Sequence, residues 1–362
     1  MKTSIARSST RSSTHGDDLL KTRDIGDQIE SQSLHRPVAD FVSGGGKRIR
    51  GSLMQVAFGM AGGRGEIPSV VVDAIECLHA GSLVIDDIQD ASLLRRGQPT
   101  MHREIGTPLA INAGNWMYFQ ALDMIQSAGL TLIQKHRLCQ AMVRTGRVCH
   151  EGQAIDLAAR VDQILPEDWR SVAERISAKK TGSLVALAMQ FGAIAADASQ
   201  DLIAEFRRYG MRVGVALQMR NDLDELVGLV AAGADDDRTD SVRWDDLKNG
   251  RVTWNWAWLA DQTEMTTCRL MAERLQLACR SSRSTALLSE LASFLLSVVD
   301  DCGNDAIGNE IDEAICLLGE HVIDENLLNR FREILQPIRI SQVKGRHQKI
   351  IEESAPSSVE LM

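Results

Sequence analysis

The chain has 362 residues, 44% hydrophobic and only 4% aromatic, with a formal net charge of -9 at pH 7. That acidity speaks against a general nucleic-acid binder, which carries a basic surface, but leaves room for an anionic substrate held through divalent metal and local Lys/Arg. The seven cysteines are scattered without CxxC or Cys/His ligand spacing, so neither a zinc site nor a disulfide framework is expected and a reducing cytosol is.

In chain order, residues 1–20 read as a disordered tail rich in Ser, Thr and Arg. The tail lacks the apolar run of a secretory signal, and Asp17 and Asp18 weaken the likeness to a transit peptide, so a cytoplasmic address is expected over an organellar one. A Gly-rich basic loop follows at Gly44–Arg50. From Ser69 to Asp90, Val72, Ile75, Leu78, Ser82 and Ile85 recur at three- and four-residue spacings, the rhythm of a buried helix. Further helices are predicted over Thr131–Leu157, over Pro166–Ala196 as a pair with Gly182 inside, and over Asp201–Val230. Ala231–Asp246 reads as an acidic connection, Trp254–Leu259 restarts an apolar helix, and residues 344–362 form a second tail. No stretch approaches the roughly 18 apolar residues of a membrane span, and no strand pattern stands out. The expectation is an all-α chain, with one large helical bundle over residues 21–343 enclosing a central cavity.

The sharpest motif is Asp86-Asp87-Ile88-Gln89-Asp90. On a helix Asp86 and Asp90 project from one face, and two carboxylates so placed repel unless a cation joins them. They are hard oxygen ligands suited to Mg²⁺, which prefers to share itself with phosphate oxygens. The apolar or small residues Gly81–Ile85 before them imply burial, where charge demands a partner. Just beyond, Arg95 and Arg96 stand in a Gly/Pro loop, and a guanidinium fork fits phosphate. Upstream, the glycines before Lys47, Arg48 and Arg50 permit close main-chain approach to an anion, although GxxxxGK[ST] is absent. A second cluster, Gln218 to Glu225, puts Asn221 and Glu225 on one helical face with Asp222 beside them. Lys180 and Thr181 are placed to reach a diphosphate from the side.

Five motifs in order, GGGKRIR (44–50), LHAGSLVIDDIQD (78–90) with LLRRGQPTMH, EGQAIDL (151–157), KTGSL (180–184) and GVALQMRNDLDE (214–225), resemble the trans-isoprenyl diphosphate synthases of the polyprenyl synthetase family. LLRRGQPT, INAGNWMYFQAL and QMRND look most like geranylgeranyl diphosphate synthases. The resemblance implies catalysis by Asp86, Asp87, Asp90, Lys180 and Arg95, with metal held by Asp86, Asp90, Asn221, Asp222 and Glu225. It implies an isopentenyl diphosphate pocket at Lys47, Arg50, His79 and Arg96, and allylic-substrate contacts at Arg95, Lys180, Thr181 and Gln218. It further implies three Mg²⁺ ions with bound diphosphate and a homodimer. Gly81 and Ser82, five and four residues ahead of Asp86, are small; either they leave a product tunnel open for C20 or longer chains, or Gly81 serves helix packing.

Departures gather on the second motif. Asn221 stands where the family has Asp, Glu225 where it has Asp, Leu217 for Phe, Arg251 for Lys and Asn255 for Pro. Gly51 likewise stands where Pro is usual, after the GGGKRIR loop. Three readings follow: a chain-elongating synthase; a relative redirected to cyclisation or to another acceptor such as an indole phosphate; and a non-catalytic subunit. The Ser/Thr and Glu that a cyclase would want are Glu225 and Leu229, and intact Lys47, Arg50, His79 and Arg96 favour elongation.

Overall fold

The computed structural model describes residues 24–45, 48–232, 245–280, 284–319 and 324–340; the two expected tails lie outside them. An arm of α1 (Ile25–Glu30), a π-helical turn and α2 (Arg36–Ser43) leads to α3 (Ile49–Met60) and the long α4 (Ser69–Gln89). A hairpin, β1 (Leu94–Arg95) and β2 (Gln98–Pro99), precedes α5 (Met101–Ile105), α6 (Thr107–Ser127) and α7 (Leu132–Ala158). Then come α8 (Trp169–Ser177), a π-helical turn (Ala178–Gly182), α9 (Ser183–Ala195) and α10 (Gln200–Ala232). α11 (Asp245–Lys248), α12 (Trp254–Gln262), α13 (Met265–Arg280), α14 (Ser284–Gly319) and α15 (Glu325–Arg339) complete the all-α bundle.

Predicted helix ends hold to within two residues where punctuation marks them. Thr131 caps α7 with a capping box to Gln134, two otherwise orphaned donors satisfied together. The pair predicted over Pro166–Ala196 is instead nearly continuous: α8 runs through the π turn into α9 without a loop. Gly182 lies within that continuous run, and α10 packs there too closely for a side chain: a Cβ on Gly214 would stand 2.5 Å from the Gly182 Cα. The absence of strands fails at one place, the β1–β2 hairpin, where Arg96 and Gly97 both take positive φ (55° and 77°), the geometry of a tight two-residue turn.

α9 lies at the centre, with every residue but Gln190 buried. α3 packs on one side, where a Cβ on Gly192 would lie 2.3 Å from the Met54 carbonyl. α7 runs antiparallel to α9, with Gln134 bonded to the Ala195 carbonyl (2.9 Å) at one end and Gly152 against Lys179 at the other. α10 is fixed from behind by Arg220, buried, which donates to the carbonyls of Ile338 (2.8 Å) and Arg339 (3.1 Å), the otherwise open carbonyls at the end of α15. Among the described residues no helix is long and apolar enough to cross a membrane.

Candidate active site

Asp86 and Asp87 stand on the last turn of α4 and Asp90 is its C-cap. A helix C-terminus carries negative potential, so three acids there need cations. The fold brings one from each of three directions. The tight turn of the hairpin aims Arg95 back at the helix, its Nε donating to Asp87 Oδ2 (2.7 Å) while Nη2 lies 3.8 Å from Asp86 Oδ2. The π turn presents Lys180, whose Nζ bridges Asp86 Oδ1 (3.0 Å) and Asp156 Oδ2 (2.7 Å). Gly250 takes a positive φ of 63°, and Arg251 after it, buried, donates to Asp90 Oδ1 (2.7 Å) and to the Asp156 carbonyl (2.6 Å). Gln153 on α7 adds a bond to Asp86 Oδ1 at 2.9 Å.

The electrostatics follow. Burial alone would raise the Asp86 carboxyl, but Lys180, Arg95 and Gln153 outweigh it and hold it below its usual range. Burial likewise works against the Lys180 ammonium, and Asp86 and Asp156 overcome it, so its pKa is raised. Asp90 goes up, through burial and then the charge of Asp86, in spite of Lys180 and Arg251.

The second motif is joined to the first through the π turn. Thr181 donates to Gln218 Oε1, and Gln218 Nε2 donates to Asp222 Oδ1 one helical turn on (2.7 Å). Asp222, buried, accepts the Trp254 backbone N–H at its other oxygen (2.9 Å) and is pushed up to about 7 by burial and then by Asp246. Asp246 is itself raised, by burial and by Asp156, and stands within electrostatic reach of Asp86 and Asp90. Asp222, Glu225 and Asp246 line one small cavity with Thr253 and Asn255.

A third group surrounds His79. Burial first, then the guanidiniums of Arg50, Arg95 and Arg96, hold its imidazole well below the ordinary value, so it is neutral at pH 7. Its buried Nδ1 and the buried Nε of Arg50 have no hydrogen-bond partner, the state of a pocket built for a further polar ligand.

The structure thus gathers Asp86, Asp87, Asp90, Arg95, Lys180, Thr181, Gln218 and Asp222 in one network, with Arg50, His79 and Arg96 adjoining it. Lys47 lies outside the described residues. Asn221 is exposed, whereas Asp222 turns inward, because α10 is anchored on the opposite side by Arg220 and the Trp254 amide captures Asp222. Gly81 does not border an open channel: a Cβ there would lie 2.8 Å from the Gly114 carbonyl and 3.0 Å from Met117 Cβ, so it is the packing glycine between α4 and α6. Ser82 donates to the His79 carbonyl (2.7 Å), along its own helix. The bulk beside Gly81 is Tyr118, 3.2 Å from that Cβ position, edge-on to His150 and within electrostatic reach of Asp86.

Three residues with site roles escaped the sequence reading: Gln153 and Asp156, spaced i and i+3 inside EGQAIDL and hence on one helical face, and Asp246, brought back by the chain after α10. The pair could have been found from that spacing, and Arg251, read only as a departure from the family's Lys, proves to hold Asp90.

The donor set fits magnesium. Asp90, Asp222 and Asp246 are all destabilised as anions by burial and by neighbouring carboxylates, a strain that a hard divalent cation relieves.

Residues 31–281 match the polyprenyl synthetase family. The chain is 31% identical over 227 residues to the short chain isoprenyl diphosphate synthase of Methanothermobacter thermautotrophicus, covering 62% of this chain and 66% of that protein. It is 29% identical over 242 residues to the geranylgeranyl diphosphate synthase of Sulfolobus acidocaldarius, covering 65% and 68%; the matched stretch therefore spans about two thirds of these relatives. Its fold is that of the Corynebacterium glutamicum geranylgeranyl pyrophosphate synthase solved with isoprenyl diphosphate and magnesium: TM-score 0.70, 22% identity, 85% of this chain and 90% of that one. Motifs, helical bundle and matched residues agree, and the chain belongs to the polyprenyl synthetase family.

Proposed function

We propose that the chain is a magnesium-dependent trans-prenyltransferase that condenses an allylic diphosphate with isopentenyl diphosphate. The observation that carries this reading is the convergence of Lys180, Arg95 and Arg251 on the acids of α4 beside a second buried acidic group at Asp222 and Asp246. Cations alone would suit a simple anion site and acids alone a metal site; interleaved, they suit a metal–diphosphate complex.

Asp86 and Asp90 on one side, with Asp222, Glu225 and Asp246 on the other, are the residues that would hold magnesium, three ions with the bound diphosphate. Bound there, magnesium supplies Lewis-acid stabilisation of the charge that develops as the allylic C–O bond breaks. Lys180, Arg95 and Arg251 are preorganised donors to the departing diphosphate, fixed by partners already in place, so little reorganisation is needed at the reaction. Arg50, Arg96 and neutral His79 receive the diphosphate of the second substrate. The apolar faces of α4 and α6 keep water from the allylic cation, which would otherwise be quenched as an alcohol. Tyr118, half-buried beneath the first motif, is the side chain that limits the growing chain, consistent with a C20 product.

A homodimer is part of the proposal, since Leu109, Ile111 and Phe119 on α6 and Leu132, Ile133 and Val143 on α7 expose large apolar side chains on adjacent helices. So is work in the cytoplasm, in keeping with seven free thiols. The test is purified protein with Mg²⁺ and each allylic diphosphate, with and without labelled isopentenyl diphosphate. Longer labelled diphosphates are expected. Hydrocarbons without the second substrate would mean cyclisation, and inertness would mean another acceptor or a subunit without its own turnover.

A further inference from the structure

The cavity of about 20 Å³ beside the second motif lies where α10, α11 and the start of α12 meet, and its polar side is Asp222, Glu225, Asp246, Thr253 and Asn255. A chain reversal brings these residues together. The Arg251 amide donates to the Asp246 carbonyl (2.8 Å), Gly250 takes its positive φ between them, and the returning chain enters α12 at Trp254. There the Trp254 amide captures Asp222 Oδ2 at 2.9 Å, which lays Asn255 against α10.

Asn255 stands where the family has Pro, a residue that suits the first turn of a helix because no N–H is needed there. Here the position carries an amide instead, and its side chain is 7% exposed. Nδ2 donates to the Asp222 carbonyl at 2.9 Å. A carbonyl only accepts, so that bond settles which end of the amide is which and leaves Oδ1 as the free end. Oδ1 is buried and has no hydrogen-bond partner among the described residues. A buried acceptor in that state calls for a donor or a cation.

The neighbours of Oδ1 favour the cation. Asp222 receives one bond at each oxygen, from Gln218 and from Trp254, and a carboxylate has about four lone-pair sites, so both oxygens keep capacity. Asp246 lies within electrostatic reach of Asp222 and shares the cavity with it. The space suits one water-sized occupant. A water has two protons to give against two carboxylates and an amide oxygen, whereas a hard divalent ion satisfies all three, and magnesium is commonly held by one or two carboxylates with neutral oxygens beside them.

We infer that Asn255 Oδ1 is an oxygen partner of the magnesium ion held by Asp222 and Asp246, and that it makes up in this chain for the carboxylate the second motif lacks at Asn221. The inference rests on the reading of the protein as magnesium-dependent, and metal binding is therefore measured apart from turnover. Asn221 is exposed and Asn255 buried, so the seat lies deeper than the face that Asn221 presents.

The experiment is titration of the purified full chain with MnCl₂, without diphosphate, free Mn²⁺ being read by its EPR signal and Mg²⁺ then added as competitor. Wild type is expected to bind Mn²⁺ and to release it to Mg²⁺. Asn255→Leu keeps the size and removes the oxygen, and should weaken binding by about tenfold or more, the usual cost of a lost partner around a metal. That difference should persist in an Asp86→Asn background, which disables the other acidic group. Asn255→Asp separates ligation from packing, because it keeps an oxygen and loses the N–H that holds the Asp222 carbonyl; it should bind Mn²⁺ at least as tightly as wild type. Equal binding by wild type and Asn255→Leu overturns the inference. So does weaker binding by Asn255→Asp than by wild type, which would make the bond to α10 the whole role of the side chain and which decides the matter even if Asn255→Leu does not fold. Wild type that takes up no Mn²⁺ overturns the seat as well, while turnover undiminished by EDTA would fall on the proposed reaction instead.

Discussion

Lys180→Met removes one ammonium and keeps the length of the side chain. The Nζ sits 3.0 Å from Asp86 and 2.7 Å from Asp156. At an effective dielectric of about 20, those distances correspond to gross attractions of about 5.5 and about 6 kcal/mol. Desolvation of three charged groups returns most of that, and a side chain 29% exposed is partly screened. The net loss should fall at the low end for breaking a buried pair, about 3 kcal/mol. At about 2 °C per kcal/mol for a large domain, Tm should drop by about 6 °C. Two carboxylates are then left facing Asp90 and Asp246 without their cation, so Mg²⁺ should return part of the lost stability in this variant. Turnover should fall by about two to three orders of magnitude, the cost of losing a preorganised donor to the leaving group. Differential scanning fluorimetry with and without Mg²⁺, beside the labelled isopentenyl assay, reads all three quantities. Wild-type turnover in a variant whose Tm also stays put would refute the bridging role.

Asn221→Asp adds a carboxylate at an exposed position beside the buried Asp222, so it should lower the Mg²⁺ concentration for half-maximal turnover without moving Tm; no change in the titration would place residue 221 outside metal reach. Tyr118→Ala should lengthen the products, read by chromatography after dephosphorylation, and an unchanged product would put the tunnel floor elsewhere. Gly81→Ala should instead cost stability, about 1–3 kcal/mol for an overpacked contact, because its Cβ would meet the Gly114 carbonyl at 2.8 Å; a wild-type Tm would contradict that packing. Phe119→Glu should shift the protein from dimer to monomer in light scattering, and a dimer that persists would move the interface off α6.

What could be read in the sequence were features with a period or a fixed spacing. The start of α7 comes from Thr131, and the pairing of Asp86 with Asp90 from the i, i+4 rule. Lys180 was legible as a side contact only, since nothing local says that it bridges α4 to α7. At the second motif spacing is only part of the account. Asn221 and Glu225 share a face, with Asn221 exposed and Glu225 lining the cavity beside Asp222, which Trp254 captures from 32 residues downstream. Gly81 shows the same limit: smallness in the sequence fits an open tunnel and a close helix contact equally, and only the position of α6 decides. Arg251 is visible in the sequence as a replacement for the family's Lys, but its bond to Asp90 depends on the chain reversal at Gly250, and Asp246 shows only as part of an acidic run.

The claim beneath all of this is that the acids of α4 and the acids around α10 share one metal–diphosphate complex. Anomalous diffraction from crystals grown with Mn²⁺ and a non-ionising allylic diphosphate analogue tests it directly. Manganese peaks lying between the diphosphate and both acidic groups, Asp86 and Asp90 on one side and Asp222, Glu225 or Asp246 on the other, are the predicted result. Manganese confined to one helix, or diphosphate bound away from Lys180 and Arg95, would contradict it.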